Sequence, residues 1–81
     1  MPRPFDAEQW VDTPDSSMIK SLGTRGDYLI VTFKKGGATY RYSGLAFEFG
    51  PLIHAESMGS YFHKNIREQP CQRLRDEWPD E

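Results

Sequence analysis

Eighty-one residues with a formal charge of −2 allow one small domain and one core, since a chain this short buries only about 60% of the surface its unfolded form exposes. A single cysteine, Cys71, excludes an internal disulfide and a Cys-rich zinc site, so stability has to come from packing and the redox reading is cytoplasmic. Five Phe, four Tyr and two Trp favour folding, no run of about 18 apolar residues offers a membrane span, and residues 1–9 lack the apolar stretch of an export signal.

In chain order, residues 1–15 contain Pro2, Pro4 and Pro14 among several acids and read as an acidic extended arm, with Trp10 anchoring it to the body. Residues 16–22 predict a short strand, closed by the loop Gly23-Thr24-Arg25-Gly26-Asp27. Residues 28–34 are dominated by β-branched and aromatic side chains. Their alternation puts Leu29, Val31 and Phe33 on a core face and Tyr28, Ile30 and Thr32 on the other. Lys35-Gly36-Gly37 predicts a turn, and residues 38–43 a third strand with Tyr40 and Tyr42 on one face and Thr39 and Arg41 on the opposite one.

After Gly44 the period lengthens. Phe49, Leu52 and Ile53 fit the core face of a short helix, with Pro51 either in its first turn or breaking it. Residues 57–60 predict a turn with N-cap options, and residues 61–69 a second helix in which Phe62 and Ile66 stack at i, i+4. Pro70 stops that helix, and residues 71–78 predict one more helical turn before the acidic end. The expected fold is therefore α+β, a three-stranded antiparallel β-meander followed by two short helices packed on one face. Its two sheet edges leave a homodimer through an edge open.

The charge is unevenly placed: residues 1–15 carry −3, residues 76–81 carry −4, and the body between them, 16–75, carries +5. A basic body suits contact with phosphates or with an acidic protein surface. Arg25, Lys34, Lys35, Lys64 and Arg67 are the candidate phosphate contacts. Tyr40 and Tyr42 either form a stacking platform for bases or cover the core, and in the second case Arg41 and Thr39 are the exposed pair and Arg41 the contact residue. Ser57-Met58-Gly59-Ser60 offers backbone N–H groups to an anion, or simply a helix cap. His54 and His63 stand at no familiar metal-ligand spacing and no serine sits in a nucleophile elbow, so no catalytic residue, metal or cofactor is expected.

Ser16-Ser17, Ile19, Leu22-Gly23, the Leu29/Val31/Phe33 strand, Gly36-Gly37, Tyr40-Arg41-Tyr42, and then Ser57, Gly59, Tyr61-Phe62 and Ile66-Arg67 follow an order and spacing that resemble the KTSC domain. The resemblance runs over roughly residues 16–67. It is carried chiefly by the tyrosine pair and by Ser57-Met58-Gly59-Ser60-Tyr61-Phe62. The chain departs from the family pattern at Gly44-Leu45, where members usually have Val-Pro, and at His63, where they usually have Asn. The family occurs alone in bacterial and phage proteins and at the C-terminus of some lysyl-tRNA synthetases.

The resemblance implies a domain over 16–70, between the arm 1–15 and an acidic tail 71–81. The family's activity is unknown, but its attachment to tRNA synthetases implies RNA such as tRNA as the partner of a module whose residues already suggest no catalysis, with Ser57, Gly59, Tyr61 and His63 joining the basic and aromatic residues in the contact set. Two other readings stay open. One is a small phage or mobile-element factor that docks on a host protein and modulates it. The other is a pocket between sheet and helices that holds a nucleotide.

Overall fold

The computed structural model describes residues 4–13 and 16–75. Five strands, β1 (Gln9–Asp12), β2 (Ile19–Arg25), β3 (Tyr28–Phe33), β4 (Thr39–Tyr42) and β5 (Cys71–Leu74), form one antiparallel sheet in the order β1-β2-β3-β4-β5. Two helices, α1 (Phe49–His54) and α2 (Met58–Asn65), stand between β4 and β5 in sequence and cover one face.

The sheet is larger than the three strands expected. The expected extended arm holds a 3-10 turn over Pro4–Asp6 and pairs with β2 over Gln9–Asp12, and 1–3, 14 and 15 lie outside the described residues. The helical turn expected over 71–78 is a strand as far as Leu74, and the expected acidic tail from 76 onward lies outside the described residues. Cys71–Leu74 alternates too briefly to declare itself. It becomes a strand because the turns after α2, which ends at Asn65 and not at Pro70 as expected, deliver the chain antiparallel to β4, with Tyr42 opposite Cys71 and Thr39 opposite Leu74.

The central hairpins follow local chemistry. Gly26-Asp27 joins β2 to β3 in two residues with Gly26 at φ +59°, a conformation that side chains with a Cβ seldom adopt. Strand β2 thus runs on to Arg25 and takes up most of the expected loop. A register shift between Ile19 and Ser21 then puts both Ile19 and Leu22 on the helix-covered face.

Beyond β4, a 3-10 turn (Ala46–Glu48) leads into α1 and is tied to the β2–β3 turn by the Ala46 N–H donating to the Asp27 carbonyl at 3.0 Å. Pro51 occupies the first turn of α1, where a missing N–H costs nothing. Phe49 and Leu52 reach the core as expected, whereas Ile53 is 36% exposed. Helix α2 begins and ends earlier than expected. Ser57 caps it, accepting the Ser60 N–H on its hydroxyl at 3.3 Å, and the run read as a turn is its first turn. Phe62 and Ile66 are both buried beneath it, Ile66 at its C-cap.

Ile19, Leu22, Leu29, Val31, Tyr42, Phe49, Leu52, Phe62 and Ile66 fill the space between helices and sheet. A second cluster sits on the far face, where Ile30 and Leu74 pack with Ala7, Phe5 and Trp10. Trp10 lies so close over Gly23 that a Cβ there would stand 2.5 Å from its Cε3. The arm therefore covers the far face with the only side chain area available at that position, an aromatic ring over a glycine.

Candidate nucleic-acid interface

Cross-strand register sorts the candidate residues onto the two faces. The row Val11, Leu22, Val31, Tyr40 and Arg73 faces the helices, as does the row of Gln9, Thr24, Leu29, Tyr42 and Cys71. Trp10, Gly23, Ile30, Arg41 and Gln72 form a row on the far face.

Tyr42 is part of the core at 3% exposure, its ring edge-on to Phe62 at 5.8 Å. Burial, then the neighbouring Cys71 thiol and Tyr40, push its phenol well above the ordinary value. Tyr40 stays half-exposed with its ring 5.7 Å from that of Phe33, itself half-exposed. The pair expected to act as one platform is thus divided, one ring in the core and the other at its rim.

The expectation that core tyrosines leave Arg41 and Thr39 exposed is overturned. Arg41 is 7% exposed and Thr39 is buried too. The cause is the second layer on the far face: the Arg41 guanidinium lies 4.4 Å from the centre of the Tyr28 ring and donates from Nη2 and Nε to Gln72 Oε1 at 2.7 and 3.2 Å. Thr39 shares a hydrogen bond of 2.9 Å with Thr32. Arg41 is a packing and hydrogen-bonding residue of the far face.

Arg25 is also held in the fold, donating from Nη1 to the Phe5 carbonyl at 3.2 Å at the end of the sheet that carries the β2–β3 turn. Lys34 and Lys35 are exposed at the opposite end, in the β3–β4 turn, with the Lys34 N–H donating to the Met18 carbonyl. Ser57 serves as the helix cap, and Gly59 sits half-buried in the first turn against Met18. Tyr61 donates its hydroxyl to Glu48 Oε1 at 2.9 Å, and that hydrogen bond raises the pKa of the phenol. Ser57, Gly59 and Tyr61 are thus all engaged within the fold.

His63, Lys64 and Arg67 are exposed. At about 100° per residue, Tyr61 and His63 fall on opposite flanks of the buried Phe62, so His63 and Arg67 lie away from Glu48 while Lys64 points off the sheet. Arg67 Nη1 stands 3.4 Å from His63 Nδ1, which accepts from it, since a guanidinium only donates. The ring of His63 is 6.4 Å from Phe62, and Phe62 is 5.4 Å from Phe33. A chain of contacts therefore runs from Tyr40 through Phe33, Phe62 and His63 to Arg67.

The structure brings Tyr40, His63 and Arg67 into that chain and leaves Arg25 and Arg41 out of it. Two residues, one in the chain and one beside it, are not among the site residues expected from the sequence. Phe33 was read as core, although its place at the end of β3 next to the lysine turn marks it as a rim residue. Arg73 is the register partner of Tyr40 on the same face, and the strand that carries it was read as helix.

Clefts lie at the margins of the fold, and the interior between sheet and helices is filled by the core side chains named above. Among the described residues no three His, Cys, Asp or Glu side chains are grouped to hold a metal ion, and no helix is long and apolar enough to cross a membrane.

Compared with known protein families, the chain matches the model of the KTSC domain over residues 15–69. The match takes in β2 to β4 and both helices, while β1 and β5 flank it. No curated protein matches the chain.

Proposed function

The chain belongs to the KTSC domain family, and from that premise we propose that it is a non-catalytic module that binds nucleic acid, RNA such as tRNA in the first instance. The observation that carries the reading is the contact chain from Tyr40 through Phe33 and Phe62 to His63 and Arg67, with Arg73 opposite Tyr40 on β5 and Lys34 and Lys35 at the adjoining turn. A half-exposed ring with cations around it offers a base its π-face and the backbone its counter-charges. The β-strands hold Tyr40 and Arg73 in fixed register, so the strip is preorganised. No general acid, base or nucleophile is assigned a role.

Titration of short RNA and DNA oligonucleotides into the chain at rising salt tests the reading. Affinity should fall with salt, and Tyr40→Leu, which keeps an apolar side chain at the rim, should weaken binding by the loss of one stack, about 1–3 kcal/mol. Arg73→Gln should lower the slope of log K against log salt by about 0.7 for a single strand. No binding at low salt, or binding indifferent to salt, would sink it.

A second reading, a factor that docks on a host protein, is favoured by one observation, the 70% exposure of Phe47 in the 3-10 turn ahead of α1. Phe47→Ser should leave RNA binding unchanged and abolish such docking.

A further inference from the structure

We propose that the aromatic strip takes unpaired, splayed nucleotides in preference to a base-paired helix, an inference that rests on the nucleic-acid reading above and narrows it to one class of ligand. Three of the rings are accessible. Tyr40 and Phe33 are half-exposed and His63 is exposed, while Phe62 is buried between Phe33 and His63. The hairpin fixes the first two: Thr32 opposes Thr39 and the Phe33 N–H donates to the Ala38 carbonyl at 2.9 Å, so Tyr40 is the diagonal neighbour of Phe33 across the strands.

The ring planes select the ligand. Tyr40 and Phe33 are inclined at 65° to each other with centroids 5.7 Å apart, and Phe33 and His63 each stand at 81° to Phe62. Successive bases of a double helix lie nearly parallel and cover each other's faces, so no two of them can lie flat on Tyr40 and Phe33 together. Bases released from pairing can, each turning to its own ring, which is how aromatic side chains hold loops and single strands of RNA. A duplex is left with contacts to its phosphates and groove edges.

The cations suit one backbone. Arg73 is exposed and stands opposite Tyr40 in register on the same face, and Arg67 lies at the other end of the run of rings, against His63. A single strand passing over the rings meets a guanidinium at each end.

The test is fluorescence anisotropy of a labelled twelve-nucleotide RNA with the full chain at low salt, the RNA either free or annealed to its complement. The duplex carries twice the phosphates over the same sequence, so contact through charge alone makes it the tighter ligand. The single strand should instead bind about tenfold more tightly, the worth of one stacked base. The same strand made abasic at every inner position keeps its charge and should lose that advantage. Phe33→Leu, which removes the second ring and keeps an apolar side chain, should weaken single-strand binding about tenfold. A duplex that binds as tightly as the single strand, an abasic strand that binds like the intact one, or indifference to Phe33→Leu overturns this inference and leaves the nucleic-acid reading standing. No binding of either RNA at low salt removes both.

Discussion

The two faces of the sheet solve the same problem with different chemistry. Beneath the helices, Leu22, Leu29, Val31, Leu52 and Ile66 exclude water with apolar side chains, and Phe33, Tyr42 and Phe62 meet edge to face. On the far face only Ile30 and Leu74 are strand residues of that kind, and Ser21, Thr32, Thr39 and Arg41 are buried beside them. These polar groups are tolerated because each is bonded: Thr32 to Thr39, Ser21 to Asp12, Arg41 to Gln72. Among the described residues no buried side-chain nitrogen or oxygen lacks a partner. A thin cover of one short strand and its preceding turn therefore suffices where helices would otherwise be needed.

The sharpest way to break this contrast is to cut equal holes in both faces. Leu52→Ala and Ile30→Ala each empty a fully buried site, and each should cost about 3 kcal/mol in urea unfolding. If Ile30→Ala cost less than about 1 kcal/mol, the far face would not be a second core. Next in size is Gly23→Ala, which sets a methyl against both Trp10 and the Gln9 carbonyl, 2.7 Å away. It should cost about 2 kcal/mol and raise amide hydrogen exchange in β1 selectively, because β1 must move to make room.

The threonine pair tests whether far-face polarity stabilises or merely satisfies. Thr32→Val or Thr39→Val alone should cost about 1 kcal/mol by stranding the remaining hydroxyl, whereas the double variant should be nearly neutral. Additive losses in the cycle would refute the pairing.

The smallest effect at neutral pH belongs to Tyr42. Its folded-state pKa is raised, so the protonated phenol's contribution is fully present below the unfolded value of about 10 and is lost as pH climbs from there through the folded value. The urea midpoint of the native chain should fall as pH rises above about 10, and that of Tyr42→Phe should fall less. Tyr61, shifted in the same direction by Glu48, accounts for a remaining share that Tyr61→Phe removes.

Legibility followed the range of the interactions. Strands β3 and β4, their alternation and the Gly36-Gly37 turn were readable, because period-2 patterning and glycine's access to positive φ act within a few residues. So were the buried faces of both helices apart from Ile53. Strands β1 and β5 were not readable: Gln9-Trp10-Val11-Asp12 and Cys71-Gln72-Arg73-Leu74 are short and largely polar, and only pairing with β2 and β4 makes them strands. Of the candidate interface, Tyr40, His63, Arg67 and the hairpin lysines were visible as residue types. Arg73 was hidden with its strand, and Arg41 was misread because its burial depends on Tyr28 and Gln72, thirteen and thirty-one residues away.

The family and the α+β class were contained in the sequence, since motif spacing and local periodicity survive without knowledge of contacts. Which face of β4 meets solvent was decided by the tertiary structure alone. Alternation separates Tyr40 and Tyr42 from Arg41, but it is blind to what arrives from elsewhere in the chain to cover either side. Here both sides are covered, and the exposed remainder is a rim.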